Sequence, residues 1–386
     1  MQKAILPKAI QFGAGNIGRG LVAPVIHDNY FIIFADTNES IIDAINKEES
    51  YTVRVLGESV STIEINNIMG INAKHPDLPL TIARADLITT AVGPTVLEYI
   101  APTIASGIKC KIQDNITTYL NIIACENMLG ATTHLKSKII QYLTDEEIAF
   151  MDKYVGFNNC MVDRIVPPSQ NKQNILEVSV EDFYEWIVDK SNFKGEIPNI
   201  AGLKFTSALD KYVERKIFTL NTGHAITAYL GFLYGKPTIK DAIEDDGLAH
   251  DVRGAMNESA EVLYCRYNVD KAEHQAYIEK IIKRFKNPYI VDEILRVARD
   301  PKRKLSFNDR LIKPLRGTIE YNLKNDYLIK GIAAALYFSM NCPEDKEALE
   351  IKALVESKGL FEAIKTLTQL TDDTIINKIV KAYSTL

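Results

Sequence analysis

AIQFGAGNIGRG, residues 9–20, is the stretch that decides the fold of this chain. Ala9–Phe12 is a short apolar run that reads as a strand, and Gly13–Gly20 reads as a turn opening a helix. Gly13-Ala14-Gly15-Asn16-Ile17-Gly18 satisfies G-x-G-x-x-G, and each glycine has a separate physical task. Gly13 permits a tight turn, Gly15 lets backbone approach a pyrophosphate, and Gly18 allows a helix to pack closely on a strand. The helix N-terminus then offers unpaired N–H groups and the positive end of its dipole to phosphate. A second apolar run, Tyr30–Ala35, ends at Asp36, placed to accept hydrogen bonds from ribose hydroxyls. A carboxylate there repels a 2′-phosphate, and the following Thr37 and Asn38 supply no cation, so NAD is favoured over NADP. A glycine turn that binds nothing remains the alternative. The order strand, loop, helix, strand, acid favours a dinucleotide.

Outward from this loop the alternation continues. Asn38–Lys47 reads as a helix, Asp86–Val92 as a buried strand followed by Gly93-Pro94 and a helix through Ser106, and Leu120–Cys125 as another strand. Residues 61–73 fit an antiparallel or loop insertion. Strands alternating with helices predict an α/β domain, a Rossmann-type doubly wound parallel sheet. The character changes near 191–202, SNFKGEIPNIAG, whose Gly, Pro and Asn content reads as a linker. Helical periodicity dominates afterwards, over Ala208–Gly231, Ile239–Tyr267, Lys271–Arg284, Tyr289–Val297, Leu328–Phe338 and Lys346–Leu354. The expected organisation is a dinucleotide-binding domain over 1–195 and a mostly α-helical substrate domain over 196–386. Ligands of open α/β sheets bind beyond the carboxyl ends of the strands, which predicts a site where the two domains meet.

Bulk properties exclude several function classes. The 386 residues carry a net charge of −5, so no global basic field invites nucleic acid, and an anionic substrate needs a local cluster of cations. No signal-like apolar run opens the chain and no 18-residue apolar stretch predicts a membrane span, so a cytoplasmic protein is expected. Five widely spaced cysteines form no CxxC and argue against a disulfide framework. The six histidines show no HxxxH pair, and no metal is expected. Trp186 reads as a packing anchor, and Thr144 as the cap of a helix opening Asp145-Glu146-Glu147. The assembly is expected to be a monomer or small homo-oligomer.

Glu214–Tyr229, ERKIFTLNTGHAITAY, places polar groups within an apolar helix. With Lys216 at zero, a regular α-helix puts Asn221 at about 140° and His224 at about 80°, so the three polar groups share one side of the helix, interleaved with apolar Ile217 and Leu220. Polar groups in such a setting need partners or a task. Oxidising an alcohol requires a base for the hydroxyl proton, and a lysine beside Arg215 in a desolvated cleft suits that role. An asparagine amide can donate to a developing alkoxide, and a histidine can hold a neighbouring hydroxyl. A surface lysine with a satisfied Asn and His in the core fits the spacing equally well.

The pattern Lys216-x4-Asn221-x2-His224 resembles the signature of the polyol-specific long-chain dehydrogenases. The likeness extends through FGAGNIGRG (12–20), TTAVGP (89–94), NIIACENM (121–128), VDRIVPP (162–168), EWIVDK (185–190), FTLNTGHAITAYLG (218–231), RFKNPY (284–289) and DRLIKPL (309–315). It is similar above all to the members of that family that act on mannitol 1-phosphate. The resemblance implies metal-independent, NAD-dependent and reversible oxidation of D-mannitol 1-phosphate to D-fructose 6-phosphate. It implies Lys216 as general base, Asn221 and Asn127 as the amides holding the oxyanion, and His224 as the residue orienting substrate. The cofactor residues it implies are Phe12, Gly13, Ala14, Gly15, Asn16, Ile17, Gly18 and Arg19 of the loop, with Asp36, Thr90 and Val92. Asp163-Arg164 matches a motif near the nicotinamide side, with an internal ion pair as the alternative.

A phosphorylated substrate needs cations, and Lys302-Arg303-Lys304 with Arg310, Lys313 and Arg316 is the densest basic stretch. Arg303, Lys304 and Arg310 are the candidates for a sugar phosphate; a solvated basic helix end is the alternative. Two other functions remain open at this stage. One is a sister dehydrogenase of an unphosphorylated polyol or a sugar acid, and the other is a non-catalytic NAD-binding sensor.

Overall fold

The computed structural model describes residues 6–167 and 174–386, so Pro168, the last residue of VDRIVPP, lies outside the described residues. The chain divides into two compact units, one ending at Leu209 and the other starting at Asp210.

Twelve strands belong to the first unit among the described residues: β1 (Lys8–Phe12), β2 (Phe31–Asp36), β3 (Tyr51–Leu56), β4 (Val60–Ile65), β5 (Ile68–Asn72), β6 (Leu87–Thr90), β7 (Leu120–Ala124), β8 (Val155–Phe157), β9 (Cys160–Asp163), β10 (Val178–Glu181), β11 (Glu185–Asp189) and β12 (Leu203–Thr206). Six of them form a parallel sheet in the order β5-β2-β1-β6-β7-β8. The chain steps outward from β1 on one side and returns to β6 on the other. The reversal between β1 and β6 is where such sheets bind nucleotides.

Successive side chains of a strand point to opposite faces, and here both faces are buried. Ile10, Phe12, Ile33, Ala35 and Ile88 pack on one side beneath α3 (Leu78–Ala83), α4 (Leu97–Gln113) and α5 (Ala131–Ile139). Ala9, Ile32 and Phe34 face α1 (Ala23–Ile26) and Ile45 of α2 (Glu39–Glu48) on the other, where Val53, Val178 and Trp186 join the core. Those last residues come from two small sheets, β10-β3-β4 and β12-β11-β9, which the alternation of the sequence does not announce. Segment 61–73 is accordingly split: most of it belongs to β4, antiparallel to β3, and to β5, which joins the main sheet parallel to β2. Trp186 is 1% exposed and anchors this core. Thr144 caps α6 (Asp145–Tyr154) in a capping box with Glu147.

The expected linker 191–202 leads back into β12, which pairs with β11 in parallel. The first unit therefore runs past the predicted boundary at 195/196, because the pairing partner lies downstream of the Gly/Pro-rich stretch.

The second unit is helical. Its elements are α7 (Leu209–Arg215), which begins at the boundary, then α8 (Thr222–Leu233), α9 (Ile239–Ile243), α10 (Asp246–Tyr267), α11 (Lys271–Phe285), α12 (Ile294–Ala298), α13 (Pro301–Lys304), α14 (Ile312–Glu320), α15 (Asp326–Asn341), α16 (Lys346–Lys358), α17 (Leu360–Thr368) and α18 (Asp373–Ser384). Helix α8 is apolar nearly all round and lies against α9, α10, α12 and α15. Of the predicted helix over 289–297, only its second half forms, as α12, with Glu293 at its N-cap.

Candidate active site

The glycine loop follows β1 directly. Gly13 has φ of +91°, and a Cβ there would stand 2.4 Å from the Ala91 carbonyl oxygen. A Cβ on Gly18 would stand 2.1 Å from the Gly13 carbonyl oxygen, so both positions exclude any side chain. Gly15 differs, because nothing lies within 4 Å of its missing Cβ. That open space is what a pyrophosphate approaching the backbone requires. The exposed crown of the loop is Asn16, flanked by half-buried Gly15 and Ile17, while Phe12, Gly13, Ala14, Gly18 and Arg19 are buried.

Beneath the loop, buried Gln11 donates from Nε2 to the carbonyls of Phe12 (2.7 Å) and Gly13 (3.1 Å), and its Oε1 accepts from Thr89 Oγ1 at 2.6 Å. Asp36 accepts from the backbone N–H of Ala14 (2.7 Å) and of Asn38 (2.9 Å), which holds its carboxylate beside the turn. A carboxylate has about four lone-pair sites, so capacity remains for ribose hydroxyls. The Arg19 guanidinium is spent inside the protein, on the carbonyls of Ala14 (2.7 Å), Ile175 (2.8 Å) and Leu176. Its backbone is spent as well, the N–H donating to the Gly15 carbonyl at 3.0 Å and the carbonyl accepting from the Tyr51 hydroxyl at 2.8 Å. Arg164 is used in the same way, donating to the Glu181 and Gly20 carbonyls.

Gly15→Ala should therefore leave folding nearly unchanged, within about 1 kcal/mol, while weakening NAD binding at least about tenfold. Thermal melting and calorimetric titration check both halves, and an alanine variant that binds NAD normally would remove the loop from the site.

Thr90 and Val92 stand where β6 ends. The Thr90 hydroxyl donates to Glu126 Oε1 at 2.7 Å, the Val92 N–H donates to the same oxygen at 2.9 Å, and the Gly93 N–H donates to Oε2 at 2.9 Å. Glu126 follows β7, and Asn127, the next residue, is exposed. Glu126 stands within NIIACENM, yet no spacing rule marks it as a clamp on a loop more than thirty residues away.

In the second unit the segment Lys216–Asn221 is a wide, π-type turn between α7 and α8. The Thr222 N–H reaches the Ile217 carbonyl, five residues back, and Thr222 Oγ1 donates to Ile217 O (2.8 Å) and to Arg310 O (2.7 Å). A turn closed over five residues sets residue i+5 above residue i, so Lys216 and Asn221 fall one turn apart on one side. The expectation that they share one side of a regular helix carried an angle of about 140° between them, and the wide turn narrows that angle. Wide turns of this kind recur at functional sites.

His224 sits in the next turn, its ring stacked on Phe285 at 5.2 Å between centroids. Its Nε2 lies 2.7 Å from Asp292 Oδ2, and the other Asp292 oxygen is paired with Arg296. Removal from water, then the positive charges of Arg284, Arg296, Arg310 and Lys304, pull the imidazole pKa down to about 3. Arg296 already meets the Asp292 charge, so the neutral ring is the stable form. A neutral ring donating from Nε2 to a carboxylate keeps its lone pair on Nδ1.

The three candidate phosphate cations have different surroundings. Lys304 is buried, its ammonium spent on the Val297 carbonyl (2.6 Å) and the Arg299 carbonyl. Burial, then Arg310 and Arg303, lower its pKa to about 7. Arg303 is exposed and faces Asp309 (3.5 Å) and Asp300 (3.7 Å). Arg310 donates from Nε to Asp309 Oδ1 at 2.7 Å, and its two terminal nitrogens donate to none of the described residues. Asp292, Arg296, Arg284 and Phe285 were not picked out from sequence as site residues. Arg284 and Phe285 do stand within RFKNPY, whereas Asp292 and Arg296 carry no motif. Among the described residues no three His, Cys, Asp or Glu side chains gather to hold a metal ion, and no helix is long and apolar enough to cross a membrane.

The model of the mannitol dehydrogenase Rossmann domain matches residues 7–202, and that of the mannitol dehydrogenase C-terminal domain matches residues 208–386. Among solved structures, a D-sorbitol dehydrogenase in substrate-free form superposes with a TM-score of 0.85 at 16% identity, covering 98% of this chain and 93% of that one. The Pseudomonas fluorescens mannitol 2-dehydrogenase, in a ternary complex with NAD and D-mannitol, superposes with a TM-score of 0.72 at 16% identity, covering 99% and 92%. At that identity the two likenesses speak to the fold.

Proposed function

Because this chain belongs to the mannitol dehydrogenase family, oxidoreductases of CH–OH groups, we propose that it oxidises D-mannitol 1-phosphate to D-fructose 6-phosphate with NAD, reversibly and without a metal. The observation that carries the phosphate is the positive field at His224, with the two terminal nitrogens of Arg310 unspent beside it. An uncharged polyol would leave those two nitrogens without an anionic partner, whereas arginine forks match phosphate oxygens.

NAD, when bound, accepts a hydride from the carbinol carbon. The residues of this chain do the rest. The open face of Gly15 and the N–H groups opening the following helix receive the pyrophosphate, and Asp36 receives the ribose. Lys216 takes the hydroxyl proton at Nζ, and the Asn221 and Asn127 amides donate to the oxygen that becomes an alkoxide. His224 accepts a neighbouring substrate hydroxyl at Nδ1, with its ring held by Asp292 and Phe285. Arg310 meets the phosphate. Arg303 and Lys304 contribute positive potential.

The test is NADH formation at 340 nm with mannitol 1-phosphate, mannitol, sorbitol and a hexonate in parallel. The expected result is a kcat/KM for the phosphate ester at least about a hundredfold above the others, roughly the loss of two charge-assisted hydrogen bonds. Equal or better turnover of a free polyol or a hexonate would replace the substrate. No turnover of any substrate, with NAD bound, would leave the sensor reading standing.

A further inference from the structure

Glu126 is a buried carboxylate, 7% exposed, at the end of β7. Its two oxygens accept three hydrogen bonds, from the Thr90 hydroxyl and the Val92 and Gly93 N–H groups. All three donors are neutral, and among the described residues no lysine, arginine or histidine forms an ion pair with it. Buried carboxylates ordinarily have a cationic partner, because neutral dipoles satisfy their lone pairs without cancelling their charge. A cation brought beside this carboxylate would be stabilised by its uncancelled charge.

The sheet order indicates what supplies it. The glycine loop follows β1 and Asp36 ends β2, which places the adenosine half of a dinucleotide on the β2 side of the reversal. The other half then crosses toward the carboxyl ends of β6 and β7, where Val92, Gly93 and Glu126 stand. The oxidised nicotinamide ring carries a positive charge, and the reduced ring carries none.

We propose that Glu126 selects the oxidised cofactor electrostatically, besides positioning the Thr90–Gly93 loop. This inference rests on the NAD-dependent reading above. The carboxylate stabilises the cationic ring before hydride transfer and gains nothing from the neutral ring afterwards, so it favours NAD+ binding and NADH release. A glutamine would keep the volume but lose the charge, and its NH2 would confront a backbone N–H that the carboxylate oxygen now accepts.

The experiment measures the dissociation constants of NAD+ and NADH for the full chain, wild type, Glu126→Gln and Glu126→Asp, by calorimetry and by NADH fluorescence. In the Gln variant NAD+ should weaken about tenfold more than NADH, a shift in their ratio equivalent to about 1.4 kcal/mol. The Asp variant keeps the charge, so it should weaken both nucleotides while holding the wild-type ratio. A loop tie without electrostatic selection would move both constants together, and an unchanged ratio in the Gln variant overturns the proposal. If the Gln variant fails to fold by thermal melting, Glu126→Ala, which removes the charge and brings no amide against the loop N–H groups, takes its place: an about tenfold loss of the NAD+ preference supports selection, and an unchanged ratio overturns it. Wild-type protein that binds neither nucleotide overturns the NAD reading itself, a result distinct from an unchanged ratio.

Discussion

Lys216→Ala should lower kcat for mannitol 1-phosphate by roughly a thousand- to ten-thousandfold, the upper part of what a general base contributes, while NAD binding stays within about twofold. Alanine is the best helix former, so the wide turn keeps its local propensity and the loss reads out as chemistry. Because the base must be uncharged to accept the proton, oxidation by the wild type should rise as pH rises, and the residual activity of the variant should lose that rise. Stopped-flow and steady-state assays across pH 6–9 check this. A variant that retains full activity, or a wild-type profile that is flat, removes Lys216 from the role. Lys216→Met, which keeps the length of the side chain without its nitrogen, separates packing from proton transfer.

Arg310→Met should raise KM for mannitol 1-phosphate by at least about a hundredfold with kcat much less affected, while any weak activity on mannitol itself should not move. The size follows from losing one bidentate contact to phosphate, roughly 1.5–3 kcal/mol per charge-assisted hydrogen bond. Arg303→Met is the control, since Arg303 is exposed and already faces Asp300 and Asp309; its effect should stay below about threefold, as for other surface ion pairs. Losing Arg310 leaves Asp309 with Arg303 at 3.5 Å, so a melting curve must accompany the kinetics. If Arg303→Met has the larger effect on KM, the phosphate lies on the outer side of the basic stretch.

Much of the first unit was legible because its signals are local. The runs at Ala9–Phe12, Tyr30–Ala35 and Leu120–Cys125 are each within a residue or two of β1, β2 and β7. Capping chemistry at Thr144 acts over three residues and was equally readable. The pairing of β10 with β3, by contrast, joins Val178 to Val53, and no short-range pattern encodes a partner so distant. The expected boundary at 195/196 fell short for the same reason, since β12 follows a Gly/Pro-rich stretch and still pairs backward with β11.

The candidate site divides along the same line. The glycine turn was determined by sequence alone, because its constraints act within a few residues: the positive φ of Gly13 and the contact of Gly18 with the Gly13 carbonyl. The shared side of Lys216, Asn221 and His224 was read from spacing, but the wide turn that narrows the angle between Lys216 and Asn221 was decided by the tertiary structure. Composition in this segment is compatible with an ordinary α-helix, whose register separates the two residues by about 140°. The five-residue turn is held partly by Thr222, whose hydroxyl bonds both Ile217 and the distant Arg310 carbonyl, a contact that exists only once the second unit has packed. The neutral state of His224 has the same origin, since burial and four cations drawn from α11 through the segment after α13 impose it together.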